Sequence, residues 1–349
     1  DEIRTSLSSR NNPHWEIPTA PKKRGRVLAC GQGDVGQLGL GEDVVETTKF
    51  KYVTALGDKI VDVYAGGMHT IALDSSGKVW TFGCNDEGAL GRATSSDTSE
   101  GTPARVSLPA PAVCVAAGDS HSAALLNSGD VYAWGAFRDS HGSMGLVMRG
   151  REGKSCREPV KVDIGETAVA VASGGDHLVI LSTSGGVYTM GCGEQGQLGR
   201  LSQRSASRDA RQGFSKYTKQ RVLQNKNKKN IFQLSILLTT MEHTALFSPT
   251  ECDAFTSQNT TWKSVLKFPC NVDVVTSPPG EVVSWGMGSE GQLGTGTSSD
   301  AAEPTAALTP PLNSRTPMHV SAGGQHTVLL VVSTTVTHVT VPLTSVSGF

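Results

Sequence analysis

Residues 65–91 carry a pattern that the rest of the chain repeats. Ala65 to Gly91 reads AGGMHTIALDSSGKVWTFGCNDEGALG. A glycine pair precedes His69, and a small, apolar run follows through Thr70, Ala72 and Leu73. Gly77 opens a hairpin, after which Val79 to Phe82 predicts a short strand of residues that suit a pleated, half-buried surface. A turn then runs from Gly83 to Gly88, Leu90 and Gly91. Glycines at such points supply positive φ and close backbone approach.

The turn, Gly-x4-Gly-x-Leu-Gly, recurs at Gly31–Gly39, Gly83–Gly91, Gly191–Gly199 and Gly286–Gly294, and in a stretched form at Gly135–Gly145. A glycine stands six residues before each start: Gly25, Gly77, Gly129, Gly185 and Gly280. The histidine unit recurs at His69, His121, His177 and His326. Successive turns begin 52, 52, 56 and 95 residues apart. A period in the low fifties accommodates four short strands and a set of tight turns, which is the blade of a β-propeller. The expected fold is therefore all-β, with repeats of about 52 residues. The chain opens on a turn half and ends on a histidine half, so the first strands are expected to complete the last blade. N- and C-terminal strands would pair, covering edges that otherwise invite association.

Composition narrows the class. The chain has 349 residues, 40 glycines and a formal net charge of −1, so any contact with nucleic acid must come from a local patch. Seven cysteines are scattered, with Cys84 and Cys192 at the same repeat position, which suits small buried residues rather than a disulfide framework. No signal peptide, membrane-length apolar run or CxxC metal pattern is visible, and a soluble intracellular protein without a metal is expected. Gly31-x-Gly33-x-x-Gly36 and its counterparts match a dinucleotide fingerprint formally. They recur on the blade period with no amphipathic helix after them, so no cofactor is expected. The repeat histidines fall on different blades, where hydrogen bonding to blade backbone explains His69, His121 and His177 better than a shared metal does.

The pattern divides the chain. Residues 1–24 are polar and Pro-containing and predict a disordered tail, ending in the basic cluster Lys22, Lys23, Arg24 and, just beyond, Arg26. Such a cluster serves as a nuclear localisation signal or a phosphate-binding arm. Residues 25–221 read as blades. Residues 222–279 lose the pattern and read as an anomalous insert or a degenerate blade. The pattern returns over 280–332, and 333–349 form a Val- and Thr-rich tail.

Functional positions are expected where a repeat breaks its own rule. The third turn, Gly135–Gly145, is two residues longer than the others. Asp119 stands where Gly67, Gly175 and Gly324 occupy the other units, and Asp176 stands where Met68, Ser120 and Gln325 do.

The blade sequences GGMHTIAL, FGCNDEGALG, AGDSHSAAL, CGEQGQLG and SAGGQHTVLL resemble those of the regulator of chromosome condensation family. The likeness covers roughly residues 25–221 and 280–332. It implies a propeller of seven blades, of which five turn motifs are recognisable here. It further implies a guanine-nucleotide exchange factor for the nuclear GTPase Ran, bound to chromatin, which performs no bond chemistry. The long third turn would be the wedge driven against Ran, carried by Phe137, Arg138, Asp139 and Ser140. Asp119 and Asp176 match family residues implicated in exchange, as do Asp34, Arg200 and His326, although Asp86 and Glu194 share the turn position of Asp34.

Chromatin contact would involve Lys22, Lys23, Arg24 and Arg26, with Arg208 and Arg211 in a loop that meets the histone surface. The implied partners are Ran, the nucleosome and a nuclear import receptor that reads the basic tail, and the implied location is the nucleus. The alternative is a propeller that binds a partner or chromatin without exchange activity.

Overall fold

The computed structural model describes residues 15–146, 154–198, 282–312 and 315–333. It also describes the backbone of the short strands Gln220–Arg221, Thr256–Ser257, Thr260–Thr261, Ser264–Lys267 and Val272–Thr276. Each repeat becomes an antiparallel four-stranded sheet. The first blade comprises Ile60–Ala65, His69–Asp74, Val79–Gly83 and Ala104–Arg105. The second comprises Ala112–Ala117, His121–Leu126, Val131–Gly135 and Cys156–Val162. The third comprises Ala168–Gly174, His177–Ser182, Gly186–Gly191 and Gln220–Arg221. A further blade runs Ser264–Lys267, Val272–Thr276, Val282–Gly286 and Ala301–Ala306. Its first two strands lie within 222–279, so a boundary at 279 divides a blade.

The last blade takes its strands from both ends of the chain. Arg315–Ala322 and His326–Ser333 are followed in space by Gly25–Gln32 and Glu46–Tyr52. Gly25–Gln32 runs antiparallel to His326–Ser333, with register partners from Gly25↔Val332 to Gly31↔His326. Pairing of the terminal strands thus follows the phase of the repeat.

Burial explains the strand sequences. In the first three blades all six residues of the histidine strand are buried. Both faces of that strand pack against neighbouring blades, so apolar and small residues run continuously instead of alternating. The outer strand Glu46–Tyr52 exposes every second or third residue and alternates accordingly. Between the first and second blades, Ile71, Leu73 and Val79 meet Ala124, Leu126 and Trp134. Between the second and third, Ala123, Leu125 and Val131 meet Val171, Leu178 and Ile180.

The turn motif connects blades as well as strands. Leu90 is fully buried, and the Trp134 indole of the next blade donates to the Ala89 carbonyl at 2.8 Å. Gly91 (φ 63°) lies against that ring, and a Cβ there would stand 2.7 Å from the indole. The position therefore requires both a left-handed backbone and no side chain.

The amino-terminal segment differs from a free tail where it is described. Trp15 donates its amide to the Thr183 carbonyl at 3.0 Å, and Trp15 and Ile17 pack against Val169, Val179 and Leu181 of the third blade. Pro21 reaches an axial cavity of about 410 Å³ lined by the innermost strands of four blades. Residues 15–24 thus run from the third blade toward the first strand. Trp15 and Ile17 supply the apolar area that holds them.

Candidate functional site

The histidine loops and the glycine turns lie at the same end of each blade. In every blade described there, the residue after the glycine that opens the turn donates to the residue before the histidine. Gln32 donates to Gln325, Cys84 to Met68, Ala136 to Ser120 and Cys192 to Asp176, all at 2.8–2.9 Å. Adjacent blades are linked at the same end: Gly324 donates to Gly66, Gly67 to Gly118 and Asp119 to Gly175. The result is one hydrogen-bonded surface of loops.

The repeat histidines hold that surface together. His326 Nε2 lies 2.8 Å from Thr70 Oγ1, His69 Nε2 lies 2.8 Å from Ser122 Oγ, and His121 Nε2 lies 3.0 Å from Ser173 Oγ. Each bond reaches the next blade, and Thr70 and Ser122 pass it on to the Gln37 and Ala89 carbonyls. The expected partners were backbone groups of the blade; the observed ones are hydroxyls of its neighbour. Burial pulls His69 down to about 4 and His326 to about 3, with a smaller effect of His69 on His326. Burial also pulls His121 to about 3, with smaller effects of His69 and His177. All three are neutral at neutral pH. His326 was expected among the exchange residues, but it is fully buried and occupies the same inter-blade position as the others.

The inserted turn forms a separate hairpin, Phe137–Asp139 with Gly142–Gly145. Phe137 is not a presented residue: it is fully buried, with its ring edge-on to His121 at a centroid distance of 4.5 Å. Arg138, Ser140 and His141 are exposed. The hairpin is braced by carboxylates from both sides. Asp176 Oδ1 accepts from the Arg138 amide at 2.7 Å. Glu194 accepts from the Ser140 amide at 3.1 Å and from its hydroxyl at 2.6 Å. Glu87 of the preceding blade accepts from Ser143 Oγ at 3.2 Å.

Asp139, His141 and Glu194 bring three ligand-type atoms within 4.8 Å of one another. Their carboxylates are engaged in the hairpin, because Asp139 also accepts from the His141 amide at 2.7 Å. Burial raises the neighbouring Cys192 thiol to about 11, and the charges of Glu194, Asp176 and Asp139 add to the effect. That thiol is protonated at neutral pH.

The structure therefore brings Asp119, Arg138, Asp139, Ser140 and Asp176 into one region spanning the second and third blades. Asp34 lies apart, on the closing blade with the first blade between, where it is exposed and accepts from Gln37 Nε2 at 3.2 Å. Arg200, Arg208 and Arg211 fall outside the described residues. Lys22, Lys23 and Arg24 are exposed, while Arg26 belongs to the first strand and stacks on Tyr52 at 4.2 Å. Glu87 and Glu194 were not singled out by sequence. Glu194 shares its turn position with Asp34 and Asp86, and nothing local distinguishes the one that meets the longer hairpin.

These blades and loops define an all-β propeller built from glycine-turn and histidine units. A family model described as the RCC1-like domain matches residues 26–256, and one described as the regulator of chromosome condensation (RCC1) repeat matches residues 279–330. The mouse regulator of chromosome condensation is 37% identical over 410 residues, covering 92% of this chain and 96% of that protein. The Drosophila melanogaster regulator is 54% identical over 200 residues, covering 57% of this chain and 36% of that protein. The solved structure of yeast RCC1 (Prp20) bound to Kap60 superposes with a TM-score of 0.73 at 24% identity, covering 95% of this chain and 96% of that one. The chain belongs to the regulator of chromosome condensation family.

Proposed function

We propose that this protein is a guanine-nucleotide exchange factor for the GTPase Ran that works while bound to chromatin. The observation that carries the reading is the hairpin Phe137–Gly145, a projection anchored below by Phe137 and braced at its sides by Asp176, Glu194 and Glu87. A family relative from Saccharomyces cerevisiae, 36% identical over 210 residues, is named guanine nucleotide exchange factor SRM1. Another solved yeast Prp20p structure is described with its binding to Gsp1p and histones.

Exchange needs no bond chemistry from the propeller. A factor that binds the nucleotide-free GTPase more tightly than the loaded form weakens nucleotide binding by the same factor. A GTPase holds its phosphates with a glycine-rich loop, a lysine and Mg²⁺. A hairpin that cannot yield displaces that loop instead of bending. Arg138 and Ser140 present its exposed side, and Asp119 is exposed one loop away. Asp176 acts through the hairpin, by fixing the Arg138 amide. Lys22, Lys23 and Arg24 are exposed for DNA phosphates or for an import receptor, which accounts for a nuclear, chromatin-bound location.

The test is release of fluorescent GDP from Ran by catalytic amounts of the protein. Accelerated release that is lost on shortening the hairpin is the expected result. Ran binding without acceleration would leave a scaffold that holds its partner and does not exchange its nucleotide.

A further inference from the structure

The axis of the propeller is walled by the inner strands of four blades, Ile60–Ala65, Ala112–Ala117, Ala168–Gly174 and Arg315–Ala322. Three of them end their sheets, and Ile60–Ala65 has a further neighbour only at Ile60. At the loop end these strands close on one another. Gly67 donates to Gly118, Asp119 to Gly175 and Gly324 to Gly66 at 2.8–3.3 Å, and the Ala65 amide donates to Ser321 Oγ at 3.1 Å. That ring of loops borders the axial cavity of about 410 Å³, a volume toward the lower end of ligand pockets, which run from roughly 300 to 1,000 Å³.

Two blades bring a pair of ionisable groups together inside it. Asp62 of the first blade accepts from the Val63 amide through Oδ1 at 3.1 Å, and His319 Nε2 of the closing blade stands 3.9 Å from the same oxygen. That separation is too long for a hydrogen bond. His319 Nε2 is nonetheless buried, with no hydrogen-bond partner among the described residues. The Tyr64 ring meets the imidazole edge-on at a centroid distance of 5.0 Å and holds its orientation. Burial raises the Asp62 carboxyl, while His319, the Val63 amide and Tyr64 oppose the shift. A bound cation would relieve that burial cost. The described lining residues include the carboxylates of Asp62 and Asp119 and no lysine or arginine, so the cavity favours positive charge. A metal ion needs further ligands, and among the described residues the group of three close ligand atoms lies elsewhere, at Asp139, His141 and Glu194. An ammonium nitrogen suits the gap: two hydrogen bonds of about 2.8 Å span 3.9 Å at an angle of roughly 90°.

We propose that the axial cavity binds a linear aliphatic ammonium ion, with its nitrogen between Asp62 and His319. Asp62 accepts one N–H, and His319 Nε2 accepts another in the tautomer that carries its proton on Nδ1. Ala65, Ala116, Ala172 and Ala322, one from each inner strand, leave a narrow apolar passage for the alkyl chain. The ligand would join the first and closing blades at the axis, so its binding stabilises the closed arrangement of the chain ends. This site is independent of the exchange reading, since none of its contacts belongs to the hairpin.

The test is isothermal titration calorimetry of the full chain with n-butylamine hydrochloride, beside n-butanol as the uncharged isostere and sodium chloride as the ionic control. Butylamine should bind saturably and raise the melting temperature as its concentration rises. Butanol should bind about tenfold more weakly or less well still, because it brings no charge to Asp62, and sodium chloride should give no saturable heat. Asp62→Asn, a change of nearly equal size, should weaken butylamine about tenfold or more, and His319→Leu should weaken it in the same direction. Equal affinity for butylamine and butanol overturns the proposal, and that comparison uses the wild-type chain, so it stands even where a variant fails to fold. Wild-type affinity in a folded Asp62→Asn protein, or no saturable binding of butylamine, also overturns it. Saturable binding of zinc chloride that Asp62→Asn abolishes, without binding of the amine, would assign the gap to a metal ion instead.

Discussion

Asp176 Oδ1 accepts a hydrogen bond from the backbone amide of Arg138 at 2.7 Å, joining the third blade to a hairpin inserted in the second. The residue that breaks the repeat at the histidine loop thus supports the residue next to the break in the turn. The two departures from the repeat are one structural device, a projection whose backbone is held by its neighbour.

That relationship makes Asp176 a positioning residue. Asp176→Ala should slow nucleotide release from Ran by about tenfold while costing about 1–2 kcal/mol of stability. Asp176→Asn keeps an acceptor oxygen and should recover part of the rate. Stopped-flow release beside urea unfolding measures both. Equal loss in the two variants would mean that the negative charge, not the hydrogen bond, matters.

Phe137 and Arg138 are adjacent but should separate cleanly. Phe137→Ala removes a fully buried ring and should cost about 3–5 kcal/mol, with exchange lost along with folded protein. Arg138→Ala changes an exposed side chain and should stay within about 0.5 kcal/mol, while exchange falls. Deleting Ser140 and His141 should leave the blade folded, since the other turns have that shorter length, yet remove most exchange.

The inter-blade histidines set an acid limit. They are neutral when folded, with values of about 4 for His69 and about 3 for His121 and His326. In the unfolded chain they titrate near about 6.5. Below that value the unfolded state binds more protons, so stability falls as pH drops from about 6.5 toward 4 and 3. Each histidine contributes a slope of up to about 1.4 kcal/mol per pH unit. Urea midpoints at pH 7.5 and 5 should differ, and His69→Gln should flatten the difference. A midpoint constant over that range would contradict the assignment.

The first glycine of each histidine unit makes room for the imidazole. A Cβ on Gly118 would lie 2.0 Å from His121 Cε1 and 2.6 Å from the Gly174 carbonyl oxygen. Gly118→Ala should destabilise by about 3 kcal/mol. His121→Ala relieves only the first clash, so the double variant should recover part of that loss beyond additivity in a denaturant-based mutant cycle.

The sequence by itself determined the repeat, the blade, the phase that pairs the terminal strands and the three places where the pattern is broken. These are local matters: glycine at positive φ, a continuous small-and-apolar run where both strand faces are covered, and a loop longer than its equivalents. Tertiary structure decided what those residues do to each other. It placed Phe137 and His326 inside, not on a binding face, and made Asp176, Glu194 and Glu87 the braces of one hairpin. Each of these pairs lies on different blades, 38 residues apart for Arg138 and Asp176 and 54 for Ser140 and Glu194. Sequence periodicity shows which residues are equivalent around the ring. It does not show which non-equivalent side chains meet, because radial packing of blades sets those distances.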